Sequence, residues 1–164
     1  MPMSLKAELQ RLGLLTEGAH VSPDQQLLTL CDAGALDGGL SIALDLRPDE
    51  LIGPLCERIG GRARLLKVLD VREDPEIALI VEAGNGEEGW EVREPRDLVE
   101  RCNEEFRDDV EARAVAVLGE WEDSLQLWCI PKRALSSLLR APFFQAENRA
   151  RLSALVPTTN RGSR

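Results

Sequence analysis

Residues 112–133, ARAVAVLGEWEDSLQLWCIPKR, constrain this chain more than any other stretch, because they set two apolar runs around a short acidic tip. Two runs rich in Val, Leu, Ile and Trp, joined by a tight polar turn, make a β-hairpin. In its second arm Leu125, Leu127 and Cys129 alternate with Gln126, Trp128 and Ile130. Successive strand side chains point to opposite faces, so this arm is apolar on both sides and belongs inside a sheet. That assigns Trp128 to the core. Trp121, beside Glu120, Glu122 and Asp123 at the tip, keeps the role of a surface anchor, since large semi-polar rings serve contact surfaces well.

The rest of the chain supplies partners for this hairpin. Residues 76–83 form the clearest further strand, with Ile77, Leu79 and Val81 on one face and a central place in a sheet. The dipeptide Asn85-Gly86 turns it back into an arm carrying Trp90. Residues 41–46 place Ile42, Leu44 and Leu46 on one face of a short strand, and residues 64–71 lean to strand through Val68, Leu69 and Val71. Helices announce themselves by caps and spacing: Ser4 before Leu5, Leu9 and Leu12, and Ser22-Pro23-Asp24-Gln25 as a capping box before Leu27, Leu28 and Leu30. Pro48 opens another, with a break expected at Gly53 because Pro54 lacks the N–H a helix interior needs. Pro95 leads into a stripe of Leu98, Cys102 and Phe106, Pro131 into Leu135, Leu138 and Leu139, and a last helix carries Leu152, Leu155 and Val156. These elements predict one α+β domain over residues 1–157: a mainly antiparallel sheet of five or six strands with helices from both termini packed on one face. Residues 158–164 hold no hydrophobic residue and read as a mobile tail.

Charge is placed unevenly. Residues 85–111 carry eleven acidic against four basic side chains, a local charge of -7 in a chain whose net charge is -9. Residues 132–164 carry seven basic against one acidic, or +6, so an acidic side and a basic end are expected. An acidic balance disfavours nucleic acid and anionic membrane, both of which are bound by neutralising phosphates. No apolar run reaches the roughly 20 residues that a spanning helix needs. No basic segment followed by an apolar one precedes the first helix, and Cys31, Cys56, Cys102 and Cys129 form no CxxC pair. A cytoplasmic chain with reduced, buried thiols is the expectation.

Catalytic signatures are sparse. His20 stands alone between helices, so a Cys/His dyad has one imidazole to draw on and no local partner for it. The glycines of residues 60–61 and 84–86 make neither GxGxxG nor a phosphate-binding GxxxxGK[ST], and neither GxSxG nor HExxH occurs. Asp45, Asp70 and Glu82 each fall within an expected strand and raise the alternative of a small carboxylate enzyme using a divalent metal. Alternation alone, however, puts polar strand residues on the solvent face. No cofactor is indicated. The leading reading is a small binding or regulatory protein, of the immunity or adaptor kind, that engages a basic protein partner. Its contact residues are Trp121 with Glu120, Glu122 and Asp123 at the hairpin tip, and Glu100, Glu104 and Glu105 on the helix after Pro95.

Overall fold

The structure is a computed structural model and describes residues 4–22, 24–73, 75–82 and 86–157. Among these, six helices and six strands follow one another as α1 (Leu5–Leu12), α2 (Leu27–Asp32), β1 (Gly39–Ala43), α3 (Pro48–Ile59), β2 (Lys67–Arg72), β3 (Ala78–Glu82), β4 (Glu87–Glu91), α4 (Pro95–Glu105), β5 (Ala114–Trp121), β6 (Ser124–Ile130), α5 (Lys132–Leu139) and α6 (Ala146–Ser153). A 3-10 turn over Gly61–Leu65 precedes β2. The fold is α+β and every strand pairing is antiparallel, in two three-stranded sheets ordered β1-β6-β5 and β2-β3-β4. The five or six mainly antiparallel strands anticipated for one sheet are six and are divided between two, since β1 and β5 take up the two edges of β6 and the 67–91 segment closes on itself. No helix among the described residues is long and apolar enough to cross a membrane.

The doubly apolar arm of the hairpin is β6, the centre of its sheet, and its two faces serve two cores. Leu125, Leu127 and Cys129 join α3, α4 and the inner side of the second sheet, with Leu51, Leu55, Leu79, Trp90 and Leu98. Trp128 and Ile130 join the terminal helices, through Leu9, Leu30, Leu135, Leu138 and Leu152. Helices from both termini therefore cover one face of the β1-β6-β5 sheet. Trp128 is fully buried, stacks on Phe144 with ring centroids 6.3 Å apart, and donates its indole N–H to the Asp37 carbonyl at 2.9 Å. That bond meets the polar requirement of a buried indole.

Local expectations held where chemistry and packing agreed. Ser4 caps α1 by accepting from the Ala7 N–H at 3.0 Å, and Gly13, with φ 70°, closes its other end. β3 is the central strand of its sheet, with Leu79 and Val81 fully buried, and it pairs with β4 in a hairpin whose turn residues 83–85 lie outside the described residues. The proposed tail, 158–164, also lies outside them.

Three local expectations are corrected. β1 runs from Gly39 to Ala43 and not to Leu46, because Ala43 pairs with Ser124, the first residue of β6, and beyond it only a long bond from the Leu44 N–H to the Asp123 carbonyl, at 3.4 Å, still reaches the hairpin turn. Leu44 is accordingly exposed. The Ser22–Gln25 motif closes a turn, with Gln25 Oε1 accepting from the Ser22 N–H at 2.8 Å, and the helix starts later, at Leu27; Pro23 lies outside the described residues. α3 runs unbroken through Pro54. An interior proline costs about 3 kcal/mol, whereas each large apolar side chain buried contributes about 1.5–3 kcal/mol. Leu51, Ile52, Leu55, Cys56 and Ile59 are all buried, and Gly53 and Pro54 face solvent, so burial wins.

One polar contact ties the layers together. The Lys132 ammonium, at the start of α5, is buried and donates to the carbonyls of Phe106 at 2.7 Å, Arg107 at 3.0 Å and Asp109 at 2.7 Å. These lie just past the end of α4, where helix carbonyls lack intrahelical donors. Burial pushes the ammonium's pKa down, and the Asp109 and Asp108 carboxylates oppose that shift.

Candidate protein-binding face

α4 organises the acidic side. Glu94 is its N-cap, Pro95 takes the first helical position, and Asp97 Oδ2 accepts from the N–H groups of Arg93 at 2.9 Å and Glu94 at 3.3 Å. Leu98, Val99 and Cys102 are buried, and that burial turns Arg96, Glu100, Arg101 and Glu104 away from the core. Along this side runs a shallow groove of about 520 Å³ lined by Glu91, Glu94, Asp97, Glu100 and Glu104 with Arg93 and Arg101. Five carboxylates against two guanidinium groups give the groove a net -3.

Both cations are already engaged. Arg93 pairs with Glu76 at 2.8 Å. Arg101 meets Glu88 at 2.9 Å, Glu104 at 3.2 Å and Glu105 at 3.4 Å, while its guanidinium lies 5.1 Å from the ring centroid of the buried Trp90. Trp90 in turn donates its indole N–H to Glu88 at 3.0 Å. Three carboxylates thus share one guanidinium, a local charge of -2. That crowding is visible in the acids: the Trp90 and Arg101 donors hold the Glu88 carboxyl below the usual range, whereas burial, with the neighbouring Glu88 charge, pushes Glu105 up. A second cation placed here relieves the repulsion that Arg101 leaves uncompensated.

The tip of the β5–β6 hairpin meets this side. Glu120 reaches Arg96 of α4 at 3.5 Å, and Trp121, 37% exposed, precedes the two-residue turn Glu122-Asp123. Glu122 adopts φ 57°, the left-handed conformation that tight hairpin turns use. Glu120 and the α4 carboxylates therefore belong to neighbouring surface. Glu100 and Glu104 are exposed, but Glu105 keeps only 21% of its side chain accessible and acts mainly as a support for Arg101. The Arg101–Trp90–Glu88 assembly was not singled out from sequence. Its one local signal is the placement of Glu104 and Glu105 three and four residues beyond Arg101.

Among the described residues the acidic side and the basic end meet at one ion pair, Glu100 to Arg151 of α6 at 3.3 Å. The strand carboxylates do not assemble. Asp45 lies past the end of β1, while Asp70 and Glu82 stand on β2 and β3 opposite Ile80 and Lys67, and no three Asp, Glu, His or Cys side chains among the described residues are grouped to hold a metal. All four thiols are buried; burial pushes Cys31 up to about 11 and Cys129 up to about 12, so both stay protonated and unreactive at neutral pH. His20 is exposed on its loop.

A second, larger cleft of about 760 Å³ has walls built from the turns at Gly38-Gly39 and Gly60-Gly61. Its three cations, Arg58, Arg64 and Arg113, are matched in number by Asp37, Glu57 and Glu111. Arg64 and Arg113 contact Glu57 and Asp37 at 3.6 and 3.4 Å. Compared with protein-family models, with curated proteins and with solved structures, the chain matches none.

Proposed function

We propose that this chain is a small binding or regulatory protein that engages a basic protein partner through the acidic groove of α4 and the adjoining hairpin tip. The observation that carries this reading is the crowding of carboxylates around Arg101, where an added Lys or Arg side chain replaces repulsion between acids with ion pairs. Exposed pairs of this kind contribute little affinity singly, about 0–1 kcal/mol each. Their combined field steers encounter and selects a partner of opposite charge. Trp121, exposed beside Glu120, supplies the apolar contact that charge alone lacks. A chain of this kind blocks or tethers its partner by occupying a basic surface, as immunity and adaptor proteins do.

The test is affinity capture with the full chain as bait, eluted by salt and read by mass spectrometry. Wild-type protein is expected to retain a basic partner that Glu91→Lys/Glu100→Lys/Glu104→Lys loses, with Trp121→Ala weakening retention about tenfold. A captured set unchanged by the triple reversal sinks the proposal.

A further inference from the structure

Large apolar side chains left in water are few in this protein, and they are not scattered. Among the described residues six stand exposed, and three of them fall within five positions: Leu65 at 74%, Val68 at 39% and Leu69 at 47%. They lead into and occupy β2, which bonds to β3 on one side and, among the described residues, has no strand on its other edge. Every β2 residue is exposed apart from the half-buried Val71. Beside the strand lies a recess of about 180 Å³ whose lining includes Ile52, Cys56, Ala63, Leu66 and Val68.

Charge sets this edge apart as well. Residues 62–72 carry Arg62, Arg64, Lys67 and Arg72 against Asp70 alone, a net +3 in a chain of net -9. Arg62, Arg64 and Arg72 contact Asp109, Glu57 and Asp70 at 3.5, 3.6 and 3.6 Å, but their side chains stay 60–68% exposed and accessible to a further carboxylate. Cationic side chains and a bulge are ordinary guards against edge pairing, and β2 has both, its register shifting between Val68 and Asp70. Guards do not account for leucines, however. A strand protected only against association has no use for Leu65 and Leu69 in solvent, and a contiguous apolar patch rimmed by charge marks an interaction site.

We propose that the β2 edge receives an extended segment of a partner protein, alternating apolar and acidic residues, as a fourth strand beside β2-β3-β4. The main-chain groups of β2 that β3 leaves unpaired supply the pairing, apart from the Val71 N–H, which donates to Asp70 Oδ1 at 2.9 Å. The recess at Leu66 and Val68 takes an apolar side chain, and Lys67, Arg64 and Arg72 meet the acidic ones. A second copy of this chain fits less well. Its own β2 brings like charges together, and β4, the acidic edge of the same sheet with Glu87, Glu88 and Glu91, keeps its one large apolar residue, Trp90, buried. This surface is separate in sequence and in sheet edge from the α4 groove, so either proposal survives failure of the other.

Fluorescence anisotropy with labelled eight-residue peptides tests the inference on the full chain. A peptide alternating Val and Glu is expected to bind saturably, at least tenfold more tightly than one alternating Val and Lys. Methylating its alternate backbone nitrogens, which blocks strand pairing, is expected to cost tenfold or more. Leu69→Glu and, separately, Arg72→Glu should each weaken binding at least tenfold while circular dichroism and the thermal midpoint stay at wild-type values. Absence of saturable binding at millimolar peptide, equal binding of the methylated peptide, or binding indifferent to both variants overturns the proposal. So does a wild-type dimer in sedimentation that Leu69→Glu dissociates, because the second copy is then the occupant.

Discussion

Replacing Lys132 by Met should destabilise the protein by about 3 kcal/mol, a figure obtained by setting hydrogen bonds against desolvation. The ammonium donates to three carbonyls at 2.7–3.0 Å. Hydrogen bonds to a charged group contribute about 1.5–3 kcal/mol each, and burying an ion costs several kcal/mol in return. Methionine fills the volume but leaves the Arg107 carbonyl without a donor and the Phe106 and Asp109 carbonyls with one backbone N–H each, from Asp109 at 3.2 Å and Ala112 at 3.1 Å. A buried acceptor left unsatisfied costs about 1–3 kcal/mol, so one orphaned and two half-satisfied carbonyls set the net loss at about 3 kcal/mol. Local helix physics argues the other way, since a cation in the first turn of α5 opposes the helix dipole by about 0.3–1 kcal/mol. Lys132 is therefore held by tertiary contact against its own helix. Urea unfolding followed by tryptophan fluorescence, with Trp90 and Trp128 as buried reporters, reads the effect. At a slope of about 2 kcal/mol per molar urea the midpoint falls by about 1.5 M. Lys132→Arg keeps the charge, but its planar fork cannot serve three convergent acceptors, so about half the loss is expected. Lys67→Met, on the exposed β2, serves as control with a change under about 0.5 kcal/mol. A Lys132→Met midpoint within error of wild type refutes the reasoning.

Gly38 has φ 88°, and an added Cβ would lie 2.3 Å from the Cys129 carbonyl oxygen, so Gly38→Ala is expected to lose about 3 kcal/mol in the same unfolding assay; a loss under 1 kcal/mol counts against that close approach. Glu122→Gly removes the left-handed penalty of about 1–2 kcal/mol and adds unfolded-state entropy worth somewhat less. The thermal midpoint should therefore rise by a few degrees, and a fall shows that the Glu122 side chain contributes contacts that outweigh strain. The Asp109 carboxylate accepts from the Arg62 N–H at 2.7 Å and the Glu111 N–H at 3.1 Å, bonds that hold its pKa below the ordinary value. Its contribution is thus present above the unfolded-state pKa and is lost as pH falls through the lower folded one. Stability measured from pH 7 down to pH 2 should decline less steeply in Asp109→Asn than in wild type, and parallel curves contradict the assignment.

How far the fold could be read from the chain follows from the range over which each signal acts. The cap at Ser4, the helix after Pro95 and the hairpin turn depend on residues a few positions apart, and the structure has them where spacing puts them. The end of β1 does not, because it is set by Ser124, some eighty positions away, and nothing around Leu44 records where its partner begins. Pro54 is similar: the local penalty is legible, while the burial that overrides it depends on what packs against α3. The acidic side was legible as a count of charges. Its internal arrangement, in which Glu105 supports Arg101 and Arg101 covers Trp90, required the β4 strand and α4 to be brought together.

The hairpin states the division most plainly. Sequence alone determined that β6 is apolar on both sides and must lie inside a sheet, because alternation is a property of the strand itself. Only the tertiary structure decided that its two faces serve two separate cores, that the strands divide into two sheets, and that β2, among the described residues, is left with an open, apolar and cationic edge. Strand partners are chosen by long-range complementarity of surfaces, which a linear pattern of apolar and polar residues does not encode.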